Sequence, residues 1–329
     1  MSEERKSGGG WIRSLCCSIL KAGHIPQHVA IIMDGNRRFA RKMQYSRVFM
    51  GHIQGFDKLL ETLEWCLDVG ITELTVYAFS IENFKRSKEE VDGLMELAKQ
   101  KVTKLLDERD LIMKHGVCIR VLGDLELLPP DVLSSVARAV NFSRNNDRAF
   151  LNVCFSYTSR NEMTHAVRTL AQGAADGMIL PSDISEDVVE RCLYTGDSQP
   201  PDLVIRTSGE IRLSDFLLWQ SSYSCLCFLD VLWPEFSIWN FFSAILTYQK
   251  NYSAIQEARE NHAQKLEERL YQLNKDCVLA QLDERNKDGV DLEDLVLEYG
   301  RHRKQRVEQF IEHIRTEHRL FLERVSPIC

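Results

Sequence analysis

Asp34-Gly35-Asn36-Arg37-Arg38 sets a carboxylate, a glycine, an amide and two adjacent guanidinium groups side by side. A carboxylate next to clustered donors suits a metal-bridged phosphate. Asp34 can hold a hard cation such as Mg2+, which is bound through one or two carboxylates plus substrate phosphates. Arg37 and Arg38 can grip phosphate oxygens in charge-assisted pairs. Gly35 lets backbone N–H groups approach an anion closely, and Asn36 adds donors at the same point. Two further stretches repeat the mixture: Ser80, Glu82, Asn83, Lys85 and Arg86, then Arg206-Thr207-Ser208-Gly209-Glu210. For Asp34-Gly35-Asn36 taken alone, an Asx turn with two solvated arginines explains the pattern equally well.

Each cluster follows an apolar run. Val29 to Met33 is aliphatic without alternation, as expected of a strand covered on both faces in a parallel sheet. Asp34 therefore falls at a carboxyl end, where open α/β sheets bind ligands. Leu74 to Phe79 and Asp202 to Ile205 read the same way and end in the Arg86 and Arg206 clusters. Arginine at three strand ends favours the phosphate site over the solvated turn. Val117 to Leu122, Phe150 to Phe155 and Cys225 to Leu229 complete six strands. Between them, Phe56, Leu59, Leu60, Leu63 and Leu67 mark a helix that Gly70 ends, with His52 near its N-terminus. Ser87 caps a second helix carrying Val91, Leu94, Met95, Ala98, Val102 and Leu105. Others start at Pro129-Pro130, cover Ser159 to Leu170 and Ser185 to Leu193, and start at Pro234. His52 reads as a structural cap or surface group, or as part of the phosphate site that it follows. Alternating strands and helices predict an α/β fold, a six-stranded parallel sheet flanked by helices, over about residues 28–250.

The 329 residues, 44% hydrophobic and 27% charged, suffice for one large domain or two smaller ones. A net charge of −7 argues against a nucleic-acid binder, so a polyanion must be met by local arginine clusters. Ten scattered cysteines without C-x-x-C read as reduced thiols. No apolar run approaches the roughly 18 residues of a membrane span, and the start lacks a signal-peptide core. Within residues 1–27, Trp11 to Lys21 could form an amphipathic helix that lies on a bilayer or packs on the domain. Residues 251–329 are rich in Glu, Arg, Lys and Gln. Leu266, Leu270, Leu273, Leu295, Val307, Phe310, Ile311 and Ile314 recur at helical spacing, which predicts a C-terminal helical hairpin for assembly with another chain. Its break at Asn286-Lys287-Asp288-Gly289 superficially resembles a calcium loop. With Glu284 and Leu295 at the two ends it reads as a turn. The absence of G-x-x-x-x-G-K-[ST], H-E-x-x-H, G-x-S-x-G and an Asp-Asp pair disfavours ATP hydrolysis, zinc, serine chemistry and the helical trans-prenyl synthase site.

His28 to Ala40 (H-V-A-I-I-M-D-G-N-R-R-F-A), Gly51 to Phe56 (G-H-x-x-G-F), Tyr77 to Arg86 (Y-A-F-S-x-E-N-F-x-R), Asp202 to Gln220 and Asp230 to Phe236 (D-V-L-W-P-E-F) together resemble the cis-prenyltransferases, in order from about residue 24 to 250. The resemblance implies the cis-prenyltransferase fold, helices walling an apolar tunnel, and condensation of isopentenyl diphosphate onto farnesyl diphosphate with a new Z double bond at each step. Carried over, Asp34 coordinates Mg2+, and Asp34, Gly35, Asn36, Arg37 and Arg38 hold farnesyl diphosphate. Asp34, Arg38, Arg86, Arg206, Arg212 and Ser214 hold isopentenyl diphosphate. His52 and Asn83 assist ionisation and proton removal beside Asp34.

Three departures stand out. Arg37 replaces a glycine common in bacterial members, and Cys225 replaces a metal-binding glutamate. Single-subunit members end in R-x-G, which does not occur in this sequence. The resemblance thus points to the eukaryotic, dolichol-type branch serving protein glycosylation. There a Nogo-B-receptor-like accessory subunit supplies R-x-G, and the enzyme sits peripherally on the cytoplasmic face of the endoplasmic reticulum membrane. The competing expectation is a non-catalytic accessory or lipid-binding member. A structural reading would make the C-terminal hairpin the main scaffold.

Overall fold

The computed structural model describes residues 7–45, 49–107, 109–282 and 291–326. The helical elements are α1 (Ser7–Lys21), α2 (Asn36–Lys42), α3 (Phe49–Val69), α4 (Lys88–Asp107), α5 (Arg109–His115), α6 (Pro130–Ser143), α7 (Ser159–Ala175), α8 (Glu186–Arg191), α9 (Ile238–Gln281) and α10 (Leu292–Val325). The strands are β1 (His28–Ile32), β2 (Glu73–Ser80), β3 (Val117–Leu122), β4 (Ala149–Tyr157), β5 (Leu203–Arg206) and β6 (Cys225–Phe228). Each expected strand is present, with ends moved by at most two residues. Pro234 lies in a 3₁₀ turn, Trp233–Glu235, and the long helix begins only at Ile238. The apparent calcium loop and the break at Asn286 to Gly289 lie mostly outside the described residues, as does the Leu105 side chain.

All pairings are parallel and the strand order is β3-β4-β2-β1-β5-β6. The chain leaves β1 toward β2 on one side and leaves β5 toward β6 on the other. The crevice at the carboxyl ends of β1 and β5 is therefore a topological switch point, where open α/β sheets take ligands.

Period-two alternation divides the sheet into unlike faces. Val29, Ile31, Leu74, Val76, Ile119, Leu151, Leu203 and Ile205 share one buried apolar cluster with Leu59, Leu63, Trp65 and Cys66 of α3 and Phe241, Phe242 and Ile245 of α9. The residues of opposite parity form a polar row instead. His28 Nε2 and Thr75 Oγ1 are 2.7 Å apart, and Asn152 Nδ2 donates to Thr75 Oγ1 at 2.9 Å and to Glu73 Oε1 at 2.6 Å. Arg120 Nη1 lies 3.8 Å from the same Glu73 oxygen. Bonds that span four strands fix their register as well as their burial.

Cys17 and Leu20 of α1 enter the apolar cluster, Arg13 pairs with Asp68 of α3, and the Leu20 carbonyl accepts from Gln249 Nε2 at 2.9 Å. The helix packs on the domain, yet Trp11, Leu15 and Ile19 remain exposed. The described cysteines are free thiols. Among the described residues no helix is long and apolar enough to cross a membrane.

The chain forms two compact units, and their boundary is not a single cut near residue 250. One unit runs to Ser159 and resumes over Pro200–Ile255; the other joins Arg160–Gln199 to Gln256–Arg324. In the second unit Arg306 donates to Asp183 at 2.9 and 2.8 Å, Arg303 donates to the Asp183 carbonyl at 3.0 Å, and Arg191 pairs with Glu308 at 2.8 Å. Val296, Val307, Phe310 and Ile311 of α10 are buried there. The hairpin expected to pack against another chain is partly covered by its own, because α10 carries cations opposite the Asp183 turn. Leu270 on α9 stays exposed.

Candidate functional site

Asp34 stands two residues past the end of β1, and Thr207 and Trp233 fix its backbone. Its N–H donates to Thr207 Oγ1 at 3.0 Å, and its carbonyl accepts the Thr207 hydroxyl at 2.7 Å and the Trp233 N–H at 2.9 Å. Gly35 takes φ 108°, in the left-handed region that favours glycine, and a Cβ there would meet the Leu232 backbone at 3.1 Å. Its N–H donates to Asp34 Oδ1 at 2.7 Å. Asn36 opens α2 and lies in a groove of α3, where a Cβ at Gly55 would sit 2.2 Å from Asn36 Oδ1. The G-H-x-x-G spacing of α3 thus lets the Asp34 loop and α2 seat closely on it. Trp233 Nε1 closes the groove with a 2.7 Å bond to the Gly55 carbonyl.

Arg206 is the hub of the site. It is 3% exposed at the end of β5, with Nη2 donating to Asp34 Oδ2 at 2.8 Å, and Nη1 donating to Ser214 Oγ at 2.7 Å and to the Arg212 carbonyl. One guanidinium therefore ties Asp34 to Ser214. The loop beyond it is held in costly backbone conformations, since Ser208, Ser214, Asp215 and Leu217 all have positive φ. Tyr77 supports this loop. Its ring stacks on Phe216 at 4.6 Å, and its hydroxyl donates to the Tyr157 carbonyl at 3.1 Å and reaches the Ser214 carbonyl at 3.4 Å.

The remaining arginines all face carboxylates. Arg38 donates to Ser208 Oγ and lies 3.8 Å from Asp34 Oδ1 and 3.7 Å from Glu210 Oε1. Arg212, exposed, pairs with Glu210. Arg86 donates to Glu90 at 2.8 Å, and Arg37 stands 3.9 Å from the same oxygen. Asn83 Oδ1 accepts the Ser80 N–H at 3.1 Å, so this amide caps the turn that carries Arg86. Glu90 and Tyr77 were not singled out by residue type. A glutamate four residues after Arg86 at a helix start reads as an ordinary surface pair.

Charge states follow from these contacts. Burial pushes the Asp34 pKa up, but the hydrogen bond and charge of Arg206, the Gly35 N–H and Arg38 outweigh it and hold the carboxyl below its usual range. Burial, aided by Arg86 and Arg37 and opposed by Glu90, lowers the His52 pKa to about 4. His52 is therefore neutral at pH 7. Its Nε2, with Arg206 Nε and Asn36 Oδ1, is buried without a hydrogen-bond partner among the described residues. Orphaned polar atoms around clustered guanidinium groups mark a place shaped for a polar ligand.

Among the described residues no group of three or more His, Cys, Asp or Glu could cage a metal. The donor set instead fits Mg2+ held by one carboxylate and completed by phosphate oxygens and water. Cys225 does not enlarge it, because this side chain lies in the apolar cluster at the start of β6 and burial raises its thiol pKa.

A family model described as "Putative undecaprenyl diphosphate synthase" matches residues 32–256. The dehydrodolichyl diphosphate synthase complex subunit DHDDS of Homo sapiens is 58% identical over 266 residues, covering 81% of this chain and 79% of that protein. The tritrans,polycis-undecaprenyl-diphosphate synthase (geranylgeranyl-diphosphate specific) of Thermococcus kodakarensis is 46% identical over 232 residues, covering 70% of this chain and 87% of that protein. A crystal structure of lavandulyl diphosphate synthase from Lavandula x intermedia, in complex with dimethylallyl diphosphate, matches with a TM-score of 0.65 and 32% identity, covering 68% of this chain and 95% of that one. With Asp34 and Arg206 joined at the switch point of such a sheet, and the match spanning both, the chain belongs to the cis-prenyltransferase family, transferases that build polyprenyl diphosphates.

Proposed function

We propose that this chain is the catalytic subunit of a dehydrodolichyl diphosphate synthase, adding isopentenyl diphosphate units to farnesyl diphosphate to make the long polyprenyl diphosphate used for dolichol and protein glycosylation. The observation that carries the reading is the double attachment of Arg206, to Asp34 on one side and Ser214 on the other. It supports a reading in which two anion-binding clusters adjoin, as condensation of two diphosphates requires. Gly35, Asn36, Arg37 and Arg38 take the allylic diphosphate, and Arg86, Arg206, Arg212 and Ser214 take isopentenyl diphosphate, with Asp34 and Arg38 between.

Ionisation of the allylic diphosphate puts growing negative charge on the departing oxygens, and Arg37 and Arg38, at the start of α2, are suited to stabilise it. When bound at Asp34, Mg2+ supplies further neutralisation of that charge. The isopentenyl double bond then forms the new carbon–carbon bond, and the resulting cation loses a proton. Neutral His52, with Nε2 unpaired, is suited to receive it. Asn83 serves by holding the turn of Arg86. Half-buried Phe56 and Leu60 of α3 and Val91 and Leu94 of α4, on helices that pack together, suit a wall for the growing hydrocarbon.

A second, Nogo-B-receptor-like subunit supplies the R-x-G donors. The exposed Trp11, Leu15 and Ile19 face of α1 suits peripheral contact with the endoplasmic reticulum membrane. The test is incorporation of radiolabelled isopentenyl diphosphate into polyprenyl product, with farnesyl diphosphate and Mg2+, with and without the partner. Strong incorporation is expected only with the partner. Loss of the gain is expected when the partner's arginine and glycine are replaced. Full activity of the chain alone would assign it to the single-subunit branch, and none in either case would favour an accessory role.

A further inference from the structure

Glu90 is a single carboxylate shared by arginines from two strand ends. It stands in the first turn of α4, its N–H donating to Ser87 Oγ at 3.4 Å, so the helix start fixes where the side chain begins. Its Oε1 accepts from Arg86 Nη1 at 2.8 Å and lies 3.9 Å from Arg37 Nη1. Arg86 belongs to the turn after β2 and Arg37 to α2, after β1. Burial and then the charge of Arg37 draw the Arg86 pKa down, and Glu90 pushes it back. The carboxylate thus offsets a repulsion between the two guanidinium groups.

Its sign reverses when a ligand arrives. A diphosphate carries several negative charges and binds guanidinium groups more strongly than one carboxylate does. Once the allylic diphosphate takes Arg37 and isopentenyl diphosphate takes Arg86, Glu90 becomes a like charge beside both, in a partly desolvated place where such repulsion is only incompletely screened. We propose that Glu90 is an exchangeable counter-ion. It holds Arg37 and Arg86 between the two diphosphate sites, yields each to its incoming diphosphate and reclaims Arg37 as pyrophosphate leaves. Glu90 is then a positioning residue that sets ligand release, and the bond-forming step does not use it. The inference rests on the diphosphate reading of these arginines.

Binding of inorganic pyrophosphate to the full chain, measured by calorimetry for wild type, Glu90→Gln and Arg37→Ala, separates the possibilities. Loss of an exchanging counter-ion tightens binding, whereas loss of a merely structural pair loosens the arginines and weakens it. Glu90→Gln is expected to bind pyrophosphate roughly tenfold more tightly. Its pyrophosphate inhibition constant should fall in proportion, with lower KM for the allylic diphosphate and lower kcat where release limits turnover. Glu90→Asp, whose shorter side chain withdraws the carboxylate from Arg37, carries the same test with roughly threefold tightening should the glutamine variant not fold. Unchanged or weaker pyrophosphate binding in a folded variant overturns the inference. If Arg37→Ala leaves pyrophosphate binding at the wild-type level, the diphosphate reading itself fails. Weakening by Arg37→Ala without tightening by Glu90→Gln removes the counter-ion role alone.

Discussion

Both ends of the parallel sheet are polar, and they differ in what their polar groups hold. At the amino end, Asp202 accepts the N–H groups of Gln27 at 2.7 Å and His28 at 3.1 Å, while His28, Glu73, Thr75, Asn152 and Arg120 bind one another across four strands. At the carboxyl end, Arg37, Arg38, Arg86, Arg206 and Arg212 share Asp34, Glu90 and Glu210. Positive charge is in excess there, and Arg206 Nε and His52 Nε2 are buried without partners among the described residues. A polar group committed to other protein groups specifies register. Surplus charge with unpartnered polar atoms specifies a ligand.

The comparison breaks most sharply at Asp34. Asp34→Asn leaves an oxygen for Arg206 and removes the charge, so Mg2+-dependent turnover should fall by orders of magnitude in a variant that still folds, with a modest fall in melting temperature from the lost pairing with buried Arg206. Wild-type-like turnover in that folded variant would sink the site assignment. Arg206→Ala should come next, because it detaches Asp34 and Ser214 together: steady-state kinetics should show kcat falling and both KM values rising. Arg212, exposed and paired with Glu210, should act more narrowly. Its replacement by Ala should raise KM for isopentenyl diphosphate roughly tenfold and leave that for the allylic diphosphate nearly unchanged. Equal effects of both variants on both substrates would contradict the role of Arg206 as the junction.

His52 sharpens the comparison through pH. Its folded pKa, about 4, lies below the ordinary histidine value, so the unfolded chain binds the proton more readily. Stability is full above about pH 6.5 and is lost as pH falls toward 4. His52→Gln should flatten that part of a denaturation-midpoint curve; an unaltered slope would remove the buried neutral histidine from the account. The smallest effect on chemistry belongs to the amino end. Asn152→Ala should lower stability by about 1–3 kcal/mol, through the buried hydrogen bonds to Glu73 and Thr75 that it removes. Denaturant unfolding measures that loss, while kcat and KM per folded molecule should stay at wild-type values.

Local pattern carried much of the site. Asp34, Arg37, Arg38, Arg86 and Arg206 are legible because each follows an apolar run that stops abruptly, and such runs are strands whatever their neighbours. The part played by Asn83 was less legible, since nothing in its spacing says that Oδ1 is spent on the Ser80 N–H. Glu90 and Glu210 resemble solvated surface acids until their arginines are placed. The extent of the C-terminal unit was hidden for a similar reason: the partners of Arg303 and Arg306 lie in the Asp183 turn, more than a hundred residues earlier.

By itself the sequence determined six strands, the helices between them and the types of residue at the strand ends, because hydrophobic periodicity and turn chemistry act over a few neighbours. Only the tertiary structure decided which of those ends meet. The order β3-β4-β2-β1-β5-β6 sets β5 beside β1 and brings Arg206 onto Asp34 from 172 residues away. The same packing makes Arg206 a buried junction while leaving Arg212, six residues on, exposed. A charge on its own residue is a property of the chain. Its partner, its burial and its protonation depend on distances that exist only once the sheet has closed its register.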